Sequence, residues 1–117
     1  MHEFSVVRAL IEQVVQAAES SPVSSIRTVR VSCGPLAGVE PLLVRAAFEQ
    51  LKAAAGLRDC QLQIEEQPLL ARCQSCDAEF EVVDFRFHCS HCQSTSIQVI
   101  QGDQFRLLSL DVLDEVS

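Results

Sequence analysis

No stretch of this chain approaches the roughly 18–20 apolar residues needed to cross a membrane. The N-terminus lacks a basic region followed by an apolar run and a cleavage site, so no secretory leader is expected. Basic residues are few, with 9 Lys and Arg against 16 Asp and Glu and a net charge of −7. Only Arg72 and Arg86 lie between residues 68 and 99, too few for a face that grips phosphates. Nucleic-acid binding is therefore excluded as the expected role. There is no phosphate-binding glycine loop, no Ser/His/Asp order and no His-x-Glu deaminase signature. Nothing points to an enzyme.

What the chain does contain is cysteine, 6 in 117 residues. Cys73-Gln-Ser-Cys76 and Cys89-Ser-His-Cys92 are two Cys-x-x-Cys knuckles a dozen residues apart, the spacing of a four-thiolate zinc site. Each knuckle can turn both thiolates toward one ion, and the intervening residues can form a hairpin that returns the second pair. Two reversible disulfides or a redox pair are the competing readings. A closed four-cysteine site leaves no position for a reactive water and is structural. Thiols without an export signal fit a reducing, cytoplasmic compartment. Cys33 and Cys60 read as small buried hydrophobes.

The hydrophobic share of 48% is enough for a packed core. Phe4, Val7, Leu10, Ile11, Val14 and Ala18 fall at helical steps, and Ser20-Ser21-Pro22 stops the helix. Residues 26–33 alternate as a half-buried strand, with Val29, Val31 and Cys33 inward. Glu40-Pro41 starts a second helix whose inner stripe is expected to be Leu43, Ala47, Leu51 and Ala54, with Gly56 as its stop. Residues 61–66 form another strand, parallel to the first through a right-handed crossover. Phe80/Val82 and Phe85/Phe87 read as the two strands of a zinc hairpin. Residues 104–113, apolar on both faces, read as a central strand antiparallel to 61–66. The expected fold is α/β (α+β): a small three-stranded mixed sheet with two helices, plus an inserted zinc-ribbon-like hairpin. Residues 1–67 with 100–117 would form one domain and 68–99 the zinc-binding domain.

His88 and His91 adjoin the second knuckle, either as exposed or outer groups around the thiolates or as ligands exchanging with a cysteine. His2 admits two readings. It is a frayed terminus, or it joins the terminal amine and backbone amides in a nitrogen-rich site suited to square-planar nickel(II) or copper(II).

The start Met1-His2-Glu3-Phe4-Ser5, the helix entry Gly38-Val39-Glu40-Pro41, the following Arg45-Ala-Ala-Phe48-Glu49 and the two knuckles together resemble the HypA/HybF family. These are the nickel-insertion proteins of [NiFe]-hydrogenase maturation, and the resemblance runs through essentially the whole chain. It implies a nickel metallochaperone in which the Met1 amine, the His2 imidazole and the backbone nitrogens of His2 and Glu3 hold Ni(II). The Glu3 side chain would orient the site or contact a partner. Glu40 would lie in the nickel vicinity, while Cys73, Cys76, Cys89 and Cys92 would hold Zn(II). The implied partners are a HypB-type GTPase and the hydrogenase large subunit, with the chain a monomer or homodimer. One departure is that the knuckles carry Gln74 and Ser90 where relatives often have proline. A zinc-ribbon interaction or regulatory module without nickel transfer is the alternative.

Overall fold

The computed structural model describes residues 2–19 and 21–113, and of His2 only the backbone. The elements run α1 (His2–Ala18), a 3-10 turn (Val23–Ser25), β1 (Ile26–Cys33), α2 (Pro41–Leu51), β2 (Gln61–Glu66), β3 (Leu70–Cys73), β4 (Glu79–Glu81), β5 (Ile97–Gln101) and β6 (Phe105–Val112). They form two three-stranded sheets, ordered β2-β1-β6 and β4-β3-β5.

The chain divides into two compact units: Met1–Ser32, Val39–Glu65 and Arg106–Ser117 make one, and Cys33–Gly38 with Glu66–Phe105 make the other. The second is wider than the 68–99 segment read from the sequence. Two backbone bonds inside it show why. Gly34 N–H donates to Gln104 O at 3.1 Å and Leu36 N–H to Gly102 O at 2.8 Å, so the 33–38 loop is tied to the turn after β5.

In the first unit α1 buries Val7, Leu10, Ile11, Val14 and Ala18, the stripe that the periodicity predicts, and it packs against α2. Phe4 is the exception, more than a third exposed at the first turn of the helix. The inner face of α2 is Val44, Ala47 and Phe48, which leaves Leu43 and Ala54 exposed. Leu42, Leu43 and Val44 form a continuous apolar run, and periodicity alone does not choose the phase. Arg45 and Lys52 complete the fit by donating to the carbonyls of Leu62 at 2.7 Å and Cys60 at 3.0 Å.

Strand directions follow from hydrogen bonds. Gln67 N–H donates to Cys33 O, so β1 and β2 end together and run parallel. Leu113 N–H reaches Ser25 O while Gly34 N–H reaches Gln104 O, so β6 runs antiparallel to β1. The sheet is mixed, as expected, but its central strand is β1. β6 lies at the edge, with Leu108 and Val112 exposed, so its apolar character on both faces does not mark burial on both.

The second unit departs further from the expected hairpin. β4 pairs with β3, Ala71 opposite Phe80, and β5 pairs with the other side of β3, Ala71 opposite Val99. Residues 85–87 form no strand, because Asp84 and Phe85 both have positive φ and turn the chain. The core of this unit is small: Leu69, Ala71, Cys73, Phe80, Val82 and Cys89, flanked by Ile97 and Val99.

Candidate metal centre

Two of those six core residues are thiols of the knuckles, so the site and the core of the second unit are one structure. The first knuckle leaves the end of β3 and the second follows the 84–88 loop. Each closes by the same pair of backbone bonds. Asp77 N–H donates to Cys73 O and Gln93 N–H to Cys89 O, both at 2.9 Å. In return Cys73 N–H reaches Ala78 O at 2.9 Å and Cys89 N–H reaches Ser94 O at 2.8 Å. Asp77 and Gln93, each directly after the second cysteine, take matching φ values of 62 and 65. The repeated motif thus folds as a pseudo-two-fold pair of turns.

The turns aim amides at sulfur. Ser75 N–H lies 3.3 Å from Cys73 Sγ, and His91 and Cys92 N–H lie 3.3 and 3.4 Å from Cys89 Sγ. All four sulfurs lie within 4.8 Å of one another, with Cys73–Cys92 at 3.6 Å and Cys76–Cys89 at 3.7 Å. A tetrahedron with metal–sulfur bonds of about 2.3 Å has edges of about 3.8 Å, so the donor set fits a four-thiolate ion. A disulfide would need about 2.05 Å between sulfurs, and none of the six cysteines is in a disulfide. The cluster contains the four cysteines and neither flanking histidine. His88 is half-buried and His91 exposed.

The amides also decide which thiol of each knuckle ionises first. Burial pushes the Cys73 thiol up, but the N–H groups of Cys76 and Ser75, aided by the neighbouring thiols, bring it down to about 6. At Cys76 the Ala78 N–H pulls down, but burial and thiol bonds to Cys89 and Cys73 carry it up to about 12. The second knuckle repeats the pattern. Cys89 is lowered, because N–H bonds from Cys92 and His91 outweigh burial. Cys92 is raised, because the Cys73 thiol and burial outweigh the Ser94 N–H.

Supporting residues that motif spacing did not identify hold the two knuckles together. Ser75 and Ser94 hydroxyls meet at 2.9 Å, Gln74 N–H donates to Ser96 O at 2.8 Å, and Ser96 Oγ donates to Gln74 Oε1 at 3.2 Å. Proline at position 74 would lack that N–H, so the Gln74 departure supplies a cross-tie where ring rigidity is missing. No spacing rule marks these residues in the sequence, because Gln74 and Ser75 lie inside the first knuckle while Ser94 and Ser96 lie beyond the second.

At the other end of the chain, Met1 and the His2 side chain lie outside the described residues. Helix α1 begins at His2, and Glu40 caps α2, its Oε1 accepting from Leu42 N–H at 3.5 Å with Pro41 in the first turn. A carboxylate oxygen of Glu3 accepts from Glu40 N–H at 3.4 Å, which brings the two acidic residues together at the start of both helices. The other two cysteines sit apart from the cluster. Cys33 is buried at the end of β1, and burial raises the Cys60 thiol despite nearby Lys52 and Arg27.

A two-unit α/β protein with two helices, one small mixed sheet, one small antiparallel sheet and a four-cysteine metal-binding site is the class that this geometry defines. The family model described as "Hydrogenase/urease nickel incorporation, metallochaperone, hypA" matches residues 1–112. The hydrogenase maturation factor HypA of Shewanella halifaxensis is 38% identical over 112 residues, covering 96% of this chain and 97% of that protein. HypA of Wolinella succinogenes is 36% identical over 114 residues, covering 96% and 95%. Among solved structures, the nickel metallochaperone HypA from Helicobacter pylori superposes with a TM-score of 0.69 at 29% identity, covering 97% and 98%. A second HypA solution structure gives 0.72 at 30% identity, covering 97% of both chains. The chain belongs to the HypA family of nickel metallochaperones that serve hydrogenase maturation.

Proposed function

We propose that this chain binds Ni(II) at its N-terminus and delivers it to the large subunit of a [NiFe]-hydrogenase, while the Cys73, Cys76, Cys89 and Cys92 site holds structural Zn(II). The start of α1 at His2 carries the reading. The first amides of a helix have no carbonyl four residues earlier to bond. The backbone nitrogens of His2 and Glu3 can therefore give up their protons to a metal without breaking the helix ladder. With the Met1 amine and the His2 imidazole they make a four-nitrogen set of the kind that nickel(II) accepts in a plane. The helix dipole disfavours a cation at this end. Deprotonated amides offset it, as does the Glu3 carboxylate held beside Glu40.

A terminal site of this kind loads and unloads, which suits a carrier rather than an enzyme. The closed tetrathiolate supplies shape, holding the small core of the second unit together. A HypB-type GTPase would provide the nucleotide hydrolysis that this chain has no loop to perform, and the setting would be the cytoplasm. Exchange of His88 or His91 for a cysteine at zinc belongs to the same proposal.

The test is a nickel titration of zinc-loaded protein by absorption and calorimetry, beside His2→Ala and a form with one extra N-terminal residue. One tight nickel per chain, lost in both altered forms with zinc and helicity intact, is the expected result. Equal binding in all three removes the N-terminal site and leaves a zinc-stapled interaction module.

A further inference from the structure

The turn after β4 has a backbone that its sequence does not favour. Asp84 and Phe85 lie at φ 55 and 54, and Arg86 N–H donates to Val83 O at 3.1 Å. Residues 83–86 thus form a tight turn with both central positions left-handed, where glycine or asparagine is the usual occupant. A phenylalanine there is strained, because its Cβ crowds the following carbonyl. Burial does not compensate, for Phe85 is 61% exposed and Val83 58%. The Phe87 ring lies 6.3 Å from that of Phe85 and is itself exposed. Strained positions of this kind concentrate where a side chain is held out for use.

Beside the turn lies a cavity of about 280 Å³. Its apolar walls are Pro35, Pro68, Leu69 and Val82, with Phe85 at the turn, and among the described residues the charged ones that line it are Glu81 and Asp84. The unit as a whole is acidic: Glu66, Asp77, Glu79, Glu81, Asp84 and Asp103 stand against Arg72 and Arg86. Arg72 is occupied by Glu79 at 2.6 Å.

We propose that this cavity and the Phe85 turn form a docking surface for a partner polypeptide whose apolar side chains are flanked by lysine or arginine. The apolar walls and the exposed Phe85 and Val83 exclude water around the partner's apolar side chain. Glu81 and Asp84 meet its cations, which gives selectivity and a faster encounter. A second copy of this chain fits the surface poorly, because a net charge of −7 on each copy repels the other. The inference does not rest on nickel binding, so it survives or fails separately from the proposed function.

The experiment uses full-length zinc-loaded protein and a fluorescein-labelled 12-residue peptide alternating leucine with lysine, beside the same peptide with glutamate for lysine. Fluorescence anisotropy should show saturable one-to-one binding of the lysine peptide and none of the glutamate peptide. Phe85→Ala should weaken it at least about tenfold, as loss of a central aromatic anchor does. Glu81→Gln with Asp84→Asn should weaken it severalfold and flatten its salt dependence. Phe85→Gly should abolish binding yet raise the melting temperature by a few degrees, since glycine relieves the left-handed strain. No saturable binding, equal binding of both peptides, or unchanged affinity in Phe85→Ala would overturn the proposal. So would a lowered melting temperature in Phe85→Gly, which would make Phe85 a packing residue. Concentration-dependent self-association that Phe85→Ala removes would assign the surface to a second copy and overturn it as well.

Discussion

Gly34 and Gly102 touch through their backbones. A Cβ on Gly34 would stand 2.2 Å from the Gly102 carbonyl carbon, and Gly102 itself sits at φ +105. Gly38 has φ +82 but nothing within 4 Å of a Cβ. Gly34→Ala therefore forces backbone to move and is expected to cost about 2–3 kcal/mol, whereas Gly38→Ala bears only left-handed strain of about 1 kcal/mol. Urea midpoints followed by circular dichroism check the order, since the chain has no Trp or Tyr to report by fluorescence. Equal midpoints would show that the contact relaxes. Nothing in the sequence singled out this pair, because close approach depends on two segments 68 residues apart. The α2 phase was hidden for a local reason: the apolar run 42–44 offers two faces, and only packing selects Val44 and Phe48.

At the scale of elements, the knuckles were legible because metal geometry dictates their spacing, and the structure brings all four thiols together as expected. Their inequivalence was not legible, for it arises from which amides point at which sulfur. It has a consequence for zinc binding. Cys73, at about 6, is a thiolate in the metal-free protein above that value and carries a proton below it. Zinc must displace that extra proton in acid. Affinity should thus fall one order of magnitude more steeply per pH unit below about 6 than above it. Competition with a chelator from pH 5 to 8 measures the slope, and a straight line through that range would refute the assignment. The Phe85/Phe87 segment was misread because alternating aromatics suit a strand, while two left-handed residues in series break one. β6 was misplaced for a related reason: composition cannot tell a central strand from an edge strand that keeps apolar residues exposed, as Leu108 and Val112 are.

Over the whole molecule, the two units differ in what holds them. The described core of the first is drawn from α1, α2, β1 and β2 and contains none of the four knuckle cysteines, whereas Cys73 and Cys89 are part of the six-residue core of the second. A core that small needs a staple. Stripping the metal with a strong chelator is expected to collapse the amide resonances of β3, β4 and β5 to random-coil positions while those of α1 and α2 stay dispersed. Unchanged β3–β5 resonances would show that the thiols are not needed for folding, and loss of the helices would show that the units are not independent.

The sequence by itself determined the local and covalent parts of this protein: helices where apolar residues recur at helical steps, strands where they alternate, and a four-thiolate site where two knuckles repeat. It also carried the family resemblance, through motifs spread from residue 1 to residue 92. Only the tertiary structure decided that β1 is central and β6 an edge, that β5 completes a second sheet, and that Glu3 meets Glu40. The physical reason is the same each time. Periodicity and spacing are fixed by the geometry of neighbouring residues, but strand order, exposure and the meeting of distant groups depend on packing energies shared across the chain.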